Sequence, residues 1–154
     1  MPSISEKIKA TDRSICKILE TNARASLSEI AEKVGLSVPS VSEHIRKMEE
    51  QGIILGYAAK INHAALGLDI AAFVLVRLDS SANYAGFIAN CKKSAEILEC
   101  HAITGEASHL LKIRVENTAA LEKLLSRIQQ WKGVQRTMTN LVLSTHIESF
   151  AMLQ

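Results

Sequence analysis

The chain has 154 residues, of which 47% are hydrophobic and 22% are charged, a balance typical of folded globular proteins rather than disordered chains. Its formal net charge of +2 does not by itself indicate a nucleic-acid partner, so any argument for nucleic-acid binding depends on where the charges lie. The longest apolar run, residues 70–76, is too short to span a membrane, which takes about 20 residues. Together with a polar N-terminus and three cysteines lacking a C-x-x-C pair, this predicts a cytoplasmic protein without a disulfide framework or a structural zinc site.

Two short helices are predicted at the start of the chain. Thr11 is expected to cap a helix over residues 12–21, whose apolar residues share one face. Ser26 and Glu29 form an S-x-x-E capping box, in which each side chain accepts a hydrogen bond from the other residue's backbone N–H. This box predicts the start of a second helix. Gly35 is expected to end that helix, because glycine enters the left-handed conformation without steric cost.

A third predicted helix follows at once. Because the second and third helices meet across a short turn, the sequence predicts a helix-turn-helix domain over residues 1–56. Ser37 is a good N-cap, Pro39 falls in the first turn, and Gly52 ends the helix. The outer face of such a helix enters the major groove, where arginine and lysine reach phosphate or guanine. Glutamates on this face repel phosphate unless they bind a cytosine amine or pair with lysine. The candidate DNA-binding residues are Ser37, Pro39, Ser40, Ser42, Glu43, Arg46 and Lys47.

The remaining residues predict a ferredoxin-like domain. Residues 53–60 are typical of a short strand or ribbon, and residues 57–69 are expected to form a connector. After the connector, apolar periodicity predicts strands at 70–78, 97–104, 109–115 and 134–147, and helices at 84–93 and from 117 or 118 onward. The order βαββαβ indicates an antiparallel sheet with both helices on one face, over residues 70–154. The fold class is therefore α+β, and the open sheet face predicts a homodimer.

Four stretches of the chain, in this order and spacing, resemble the Lrp/AsnC (feast/famine) family of transcription regulators. They are DRSICKIL at 12–19, SEIAEKVGLS at 28–37, VSEHIRKMEEQGII at 41–54 with Gly56-Tyr57, and Thr104-Gly105-Glu106 with Gly133-Val134. The resemblance implies a sequence-specific DNA-binding regulator with no catalytic residue, metal or cofactor, whose dimers assemble further, often to octamers. It also implies a small effector, commonly an amino acid, that binds between sheet domains and shifts assembly or DNA affinity.

The resemblance also implies where the effector binds. The matching positions are Thr104, Gly105, Glu106, Ala107, Ser108, Thr137 and Thr139. The family's effector loop usually ends in aspartate, and Ser108 stands there instead, which weakens the case for a basic effector. His44 stands where many members carry arginine, and it flanks the apolar face of its helix. We therefore expect His44 to be a packing or phosphate-contacting residue rather than a base reader.

Two other functions remain open at this point. Some sheet domains of this kind look like siroheme decarboxylases, in which histidine and arginine hold substrate carboxylates, and His101 and His109 flank the Gly105 loop. The capped helix carrying Arg46 and Lys47 argues against an enzyme, and the sequence has no H-E-x-x-H motif, nucleophile elbow or close Ser/His/Asp set. The second alternative is an architectural protein that coats DNA without an effector, with a steep salt dependence and little sequence preference.

Overall fold

The computed structural model describes residues 8–149 and residue 152, and these fall into two units. Residues 8–60, together with residues 147–149 and 152, form the first unit, and Ile61–His146 form the second. The division after Lys60 lies inside the predicted connector, whereas the sequence did not indicate that the residues from Ile147 onward group with the first unit. Of the helices in the described residues, none is long and apolar enough to cross a membrane.

The first unit is a bundle of three helices. They are α1 (Ala10–Thr21), α2 (Leu27–Val34) and α3 (Val38–Glu50). One residue or more from each helix is buried in a shared core, whose members are Ile15, Ile30, Ala31, Val41 and Met48. This core holds α3 against the other two helices and leaves its opposite side to solvent.

The predicted start and end of α2 and the predicted start of α3 are confirmed. Ser26 Oγ accepts the Glu29 N–H at 3.2 Å, and the Glu29 carboxylate accepts the Ser26 N–H at 2.7 Å. Gly35 ends α2 with φ at 69°, in the left-handed region that favours glycine. Ser37 Oγ accepts the Ser40 N–H at 3.3 Å and so caps α3.

Two predictions for the first unit are wrong. Thr11 does not cap α1, which begins at Ala10 after Lys9 as its N-cap. The Asp12 carboxylate accepts the Lys9 N–H at 3.1 Å and satisfies the helix end from the third helical position. Residues 53–60 form no strand, since no strand in the described part of this unit lies beside them to pair with.

The second unit is an antiparallel sheet of four strands with two helices, and it confirms the predicted βαββαβ order. The elements are β1 (Ile70–Leu78), α4 (Tyr84–Lys93), β2 (Ile97–Ala102), β3 (His109–Val115), α5 (Thr118–Gln129) and β4 (Val134–Leu141). The spatial order of the strands is β2-β3-β1-β4. The two central strands of the sheet, β1 and β3, pair with each other.

The sheet has one covered face and one open face. On the covered face Val74, Val76 and Leu111 are fully buried and pack with α4 and α5 in one core. Residues next in sequence point the other way, because side chains alternate along a strand. On this open face Phe73 is 37% exposed and Met138 is 51% exposed.

The last strand is shorter than predicted. It ends at Leu141 and not at residue 147, because the antiparallel strand β1 begins only at Ile70 and offers no partner further on. Leu141 pairs with Ala72, and the Val142 N–H donates to the Ala71 carbonyl. The apolar residues beyond it do not belong to a buried strand, since Leu143 is 96% exposed. Strand β2 also ends earlier than predicted, at Ala102 instead of residue 104.

Candidate DNA-binding and effector interfaces

The side of α3 that faces away from the core carries the predicted DNA-binding side chains. Val41 and Met48 are buried on the inner side, and the side chains of Arg46 and Lys47 are 54% and 58% exposed on the outer side. Ser42 and Glu43 are exposed as well, and Ser40 is half-buried. An exposed side with two cations on a capped helix can donate hydrogen bonds to phosphate oxygens or guanine.

The two cations of this side are held by carboxylates of the same helix. Arg46 donates to Glu43 through Nε and Nη2 at 3.0 and 2.7 Å and also pairs with Glu50, and Lys47 Nζ lies 3.3 Å from Glu43. Hydrogen bonds from Arg46 and Lys47 lower the pKa of Glu43 to about 2, and the same contacts raise the pKa of Arg46. DNA binding must therefore exchange these carboxylate contacts for phosphate or base contacts.

Replacing Glu50 with glutamine is expected to strengthen DNA binding about two- to fivefold. The change frees Arg46 from one exposed ion pair and removes a negative charge that repels phosphate. The measurement is the dissociation constant for a DNA duplex at two salt concentrations. Glu122→Gln on α5 removes an exposed carboxylate from the other unit and serves as the control. Equal affinities of Glu50→Gln and the unmodified protein would contradict the masking of Arg46.

His44 has a partner inside the first unit. Its Nδ1 lies 2.6 Å from Asp12 Oδ1 on α1, and the two side chains are only 25% and 13% exposed. Since Asp12 Oδ2 also accepts the Lys9 N–H, one carboxylate joins the start of α1 to the middle of α3. This contact supports a packing role for His44.

Ser108 closes the predicted effector loop onto β1. Its N–H donates to the Val76 carbonyl at 3.0 Å, and its hydroxyl lies 3.1 Å from the same carbonyl and accepts the Leu78 N–H at 3.2 Å. The Ile103 N–H donates to the Ser108 carbonyl at 3.1 Å, so the two ends of the loop are joined. The hydroxyl is therefore committed to the protein's own backbone.

The position of the hydroxyl hydrogen also determines the tautomer of the His109 imidazole. The imidazole is 1% exposed, its Nδ1 lies 3.1 Å from Ser108 Oγ, and its Nε2 is buried without a hydrogen-bond partner among the described residues. The hydroxyl has one hydrogen: if the Val76 carbonyl accepts it, His109 Nδ1 donates to Oγ, and if Nδ1 accepts it, Nε2 carries the ring hydrogen. The ring centroids of Tyr84 and Phe87 lie 4.7 and 5.0 Å from that of the imidazole, so the ring is desolvated in either tautomer.

The second unit is expected to lose stability as the pH falls below about 6.5, the ordinary pKa of histidine. Burial lowers the pKa of His109, so the unfolded chain takes up a proton there that the folded chain does not. The loss continues until the pH falls below the folded pKa and is at most about 1.4 kcal/mol per pH unit. Urea unfolding of His109→Gln at several pH values should show a weaker pH dependence. His146→Gln, at an exposed histidine of the same unit, serves as the control; equal slopes for His109→Gln and the unmodified protein would refute this.

The two threonines predicted to contact the effector lie on the covered face of the sheet. Thr137 and Thr139 pair with Val76 and Val74, so their side chains share the face that packs against the helices. Thr137 Oγ1 accepts a hydrogen bond from Gln129 Nε2 of α5 at 2.9 Å. The loop residues Thr104, Gly105 and Glu106 are exposed, and Ala107 and Ser108 are half-buried.

The two histidines of the enzyme alternative do not converge. His101 pairs with Leu110 on the open face, where it lies 3.1 Å from Glu99. His109 pairs with Val76 on the covered face and is buried. A single substrate cannot contact both rings from one side of the sheet, so this pair does not form the carboxylate-binding site of a decarboxylase.

A cleft in the first unit was not indicated by the sequence. It has a volume of about 1110 Å³ and lies between α1 and residues 53–60. Its lining is mainly apolar, with Cys16 and Leu19 among the wall residues. None of the predicted DNA-binding or effector residues lines it. Among the described residues, no group of three or more histidine, cysteine, aspartate or glutamate side chains is placed to hold a metal ion.

Comparison with known families matches both units. The family model described as winged helix-turn-helix DNA-binding matches residues 8–54, and the model of the Lrp/AsnC ligand binding domain matches residues 71–152. The HTH-type transcriptional regulator FL11 of Pyrococcus abyssi is 37% identical over 138 residues, covering 90% of this chain and 91% of that protein.

Solved structures agree with these matches. A feast or famine regulatory protein of Mycobacterium tuberculosis, complexed with L-methionine, is 33% identical and superposes with a TM-score of 0.87 over 94% of this chain and 97% of that one. A transcriptional regulator of Neisseria meningitidis in complex with L-methionine is 27% identical, with a TM-score of 0.88 over 95% and 96% of the two chains.

Proposed function

Because this chain belongs to the Lrp/AsnC family of DNA-binding transcriptional regulators, we propose that it binds specific promoter sequences as a homodimer whose assembly or DNA affinity responds to a small effector. The observation that carries the proposal is α3, which is capped at Ser37, anchored by Val41 and Met48, and exposes Arg46 and Lys47. DNA-binding regulators of this kind act in the cytoplasm.

The open face of the sheet supports the homodimer. Phe73, Leu75, Leu110 and Met138 lie on this face, and Phe73 and Met138 are substantially exposed. Exposed apolar patches of this kind are commonly covered by a second copy. A dimer presents two recognition helices about one or more turns of DNA apart, so we expect an imperfectly palindromic site. Further assembly of dimers, up to the octamers implied by the family, would multiply the helices on one stretch of DNA.

The effector is proposed to act on assembly. Residues 104–106 of the loop are exposed beside β1, and two similar regulators have been solved with L-methionine. An effector changes DNA binding only if it binds one assembly state more tightly than another. We therefore expect it to bind where copies of the sheet unit meet.

The test is equilibrium binding to DNA from immediately upstream of the protein's own coding sequence, with scrambled DNA as the control. Binding is measured at fixed salt, with and without a pool of common amino acids. We expect a preference for the native fragment that shifts with the pool. A preference without a shift would contradict the effector, and equal binding to both fragments would favour an architectural protein. No binding to either fragment would contradict DNA recognition altogether.

Replacing Gly105 with aspartate is expected to abolish the effector response while dimers remain. Gly105 has φ at 113°, a conformation that side chains rarely adopt, so the loop backbone must change. A Cβ there would meet nothing within 4 Å, so the fold of the unit should survive. Sedimentation reports the dimer, and the DNA assay reports the response. A normal response would place the pocket elsewhere.

A further inference from the structure

Two arginines stand opposite each other on the open face of the sheet. Arg77 of β1 pairs in register with Arg136 of β4, just before the irregularity that separates Arg77 from Leu78 in the ladder. Side chains directly opposite each other on one face have their Cβ atoms about 5 Å apart. Both side chains are exposed in a single copy, so the two guanidinium groups share one short stretch of the open face, where copies of the sheet unit are proposed to meet.

The other cations of the open face have partners, whereas these two arginines have none among the described residues of a single copy. Lys112 Nζ lies 3.2 Å from Glu99, and Arg114 donates to the Leu68 carbonyl at 2.8 Å. Within residues 8–149, no carboxylate lies at ion-pair distance from either member of the arginine pair. The pair is therefore two unneutralised like charges side by side.

Like charges directly opposite on a sheet destabilise it, and an anion between them removes that repulsion. A guanidinium group presents a planar fork of N–H donors that matches a carboxylate with two parallel hydrogen bonds. Two forks side by side can hold one carboxylate between them or two carboxylates of one molecule. The arginine pair thus has the chemistry of a carboxylate site.

The arginine pair lies at the same end of the sheet as the effector loop. The loop ends at Ser108, which bonds to β1 at Val76 and Leu78, on either side of Arg77. Strands β3 and β4 flank β1, so Ser108 and Arg136 are separated by two strand spacings, about 10 Å. A molecule the size of an amino acid can span much of that distance.

The loop itself favours an acid over a base. The hydroxyl of Ser108 is occupied by β1 and His109, so the position that usually carries aspartate supplies neither a charge nor a free acceptor. Glu106 is the only carboxylate of the loop over residues 104–108, and it is exposed. Within the loop and the arginine pair, cations therefore outnumber carboxylates by two to one.

We propose that the effector of this regulator is a dicarboxylate, such as an acidic amino acid, whose carboxylates bind Arg77 and Arg136. The inference rests on the proposed function, since it names the chemical class of the effector. Glu106 supplies an acceptor for the ammonium group of an acidic amino acid. A neutral amino acid of the same size lacks the second carboxylate and leaves the charge of the arginine pair partly uncompensated.

Calorimetric titration with L-glutamate and L-glutamine tests this directly, because the two probes have the same shape and differ in charge. We expect glutamate to bind at least tenfold more tightly than glutamine. Arg136→Gln should weaken glutamate binding tenfold or more, and Arg77→Gln should do the same. Both variants should melt at or above the temperature of the unliganded protein, because each removes a repulsion. Lys92→Gln, on α4, removes an exposed positive charge elsewhere and should leave glutamate binding unchanged.

Several results would overturn the proposal. Glutamine or L-methionine binding as tightly as glutamate would make the effector neutral, and inorganic phosphate competing equally would make the arginines an unselective anion site. If the carboxylates belong to a second copy of the chain, Arg136→Gln would weaken the dimer in sedimentation and glutamate would not bind. Failure of the proposed function is a separate result: glutamate would bind at the arginine pair as expected, yet DNA affinity and assembly would not change.

Discussion

Replacing Arg46 with alanine is expected to weaken binding to the cognate DNA about 5- to 150-fold. A bidentate arginine–guanine contact contributes about that much discrimination between bases. The loss should fall toward the lower end, because Arg46 gives up its contacts with Glu43 and Glu50 when it binds DNA. The measurement is the dissociation constant for the cognate duplex and for scrambled DNA at one salt concentration.

Two further variants separate base reading from charge. Arg46→Lys keeps the charge but loses the planar fork, so it should retain affinity for scrambled DNA and lose preference for the cognate site. Lys123→Ala, on α5 in the second unit, removes an exposed cation and should leave both affinities unchanged. If Arg46→Ala binds cognate DNA normally, Arg46 does not lie on the reading face.

The sequence predicted the helices of the first unit well, because their signals are local. The capping box of Ser26 and Glu29 and the left-handed Gly35 involve residues no more than four positions apart. The one error at a helix end, Thr11, arose because Asp12 satisfies the end of α1 from inside the helix. Side-chain patterns within one helical turn can thus be predicted from sequence, but which of several adjacent residues caps a helix cannot.

The predicted sheet was correct in order and too long at one end. β1 matches its predicted bounds because an apolar run between polar residues marks a buried strand. β4 does not, since its length is set by β1, which offers no partner beyond Ile70. Because Leu143 and Ile147 are apolar, the predicted strand was extended over them, although both side chains are exposed. The length of a strand therefore depends on its partner strand, and the apolar periodicity of the strand itself carries no information about that partner.

The candidate sites depend on contacts between residues far apart in sequence. His44 and Asp12 are 32 positions apart, as are Ser108 and Val76. Sequence and family resemblance identified Ser108 as unusual, but only the register of β1 and β3 revealed that its hydroxyl is occupied. The pairing of arginines across β1 and β4 likewise depends on the register of two strands that lie far apart in the chain, which no local pattern predicts.

Replacing Phe87 with alanine is expected to destabilise the second unit by about 3–5 kcal/mol, since Phe87 is 1% exposed and the change leaves a cavity. Its ring contacts Trp131 at 5.6 Å between centroids and His109 at 5.0 Å. Trp131 is the only tryptophan of the chain, so its fluorescence during urea unfolding reports this unit alone. The expected loss should be the same at every protein concentration, because the cavity lies inside one copy.

Phe73→Ala is the matched control, because it removes the same side chain from the open face of the same sheet. Phe73 is already 37% exposed, so its loss costs a single copy much less than the loss of Phe87. If a second copy covers the open face, however, Phe73→Ala weakens the dimer, and its unfolding midpoint falls further as the protein is diluted. A concentration-independent midpoint for Phe73→Ala would contradict the proposed dimer, and an unchanged midpoint for Phe87→Ala would contradict the packing of α4 on the sheet.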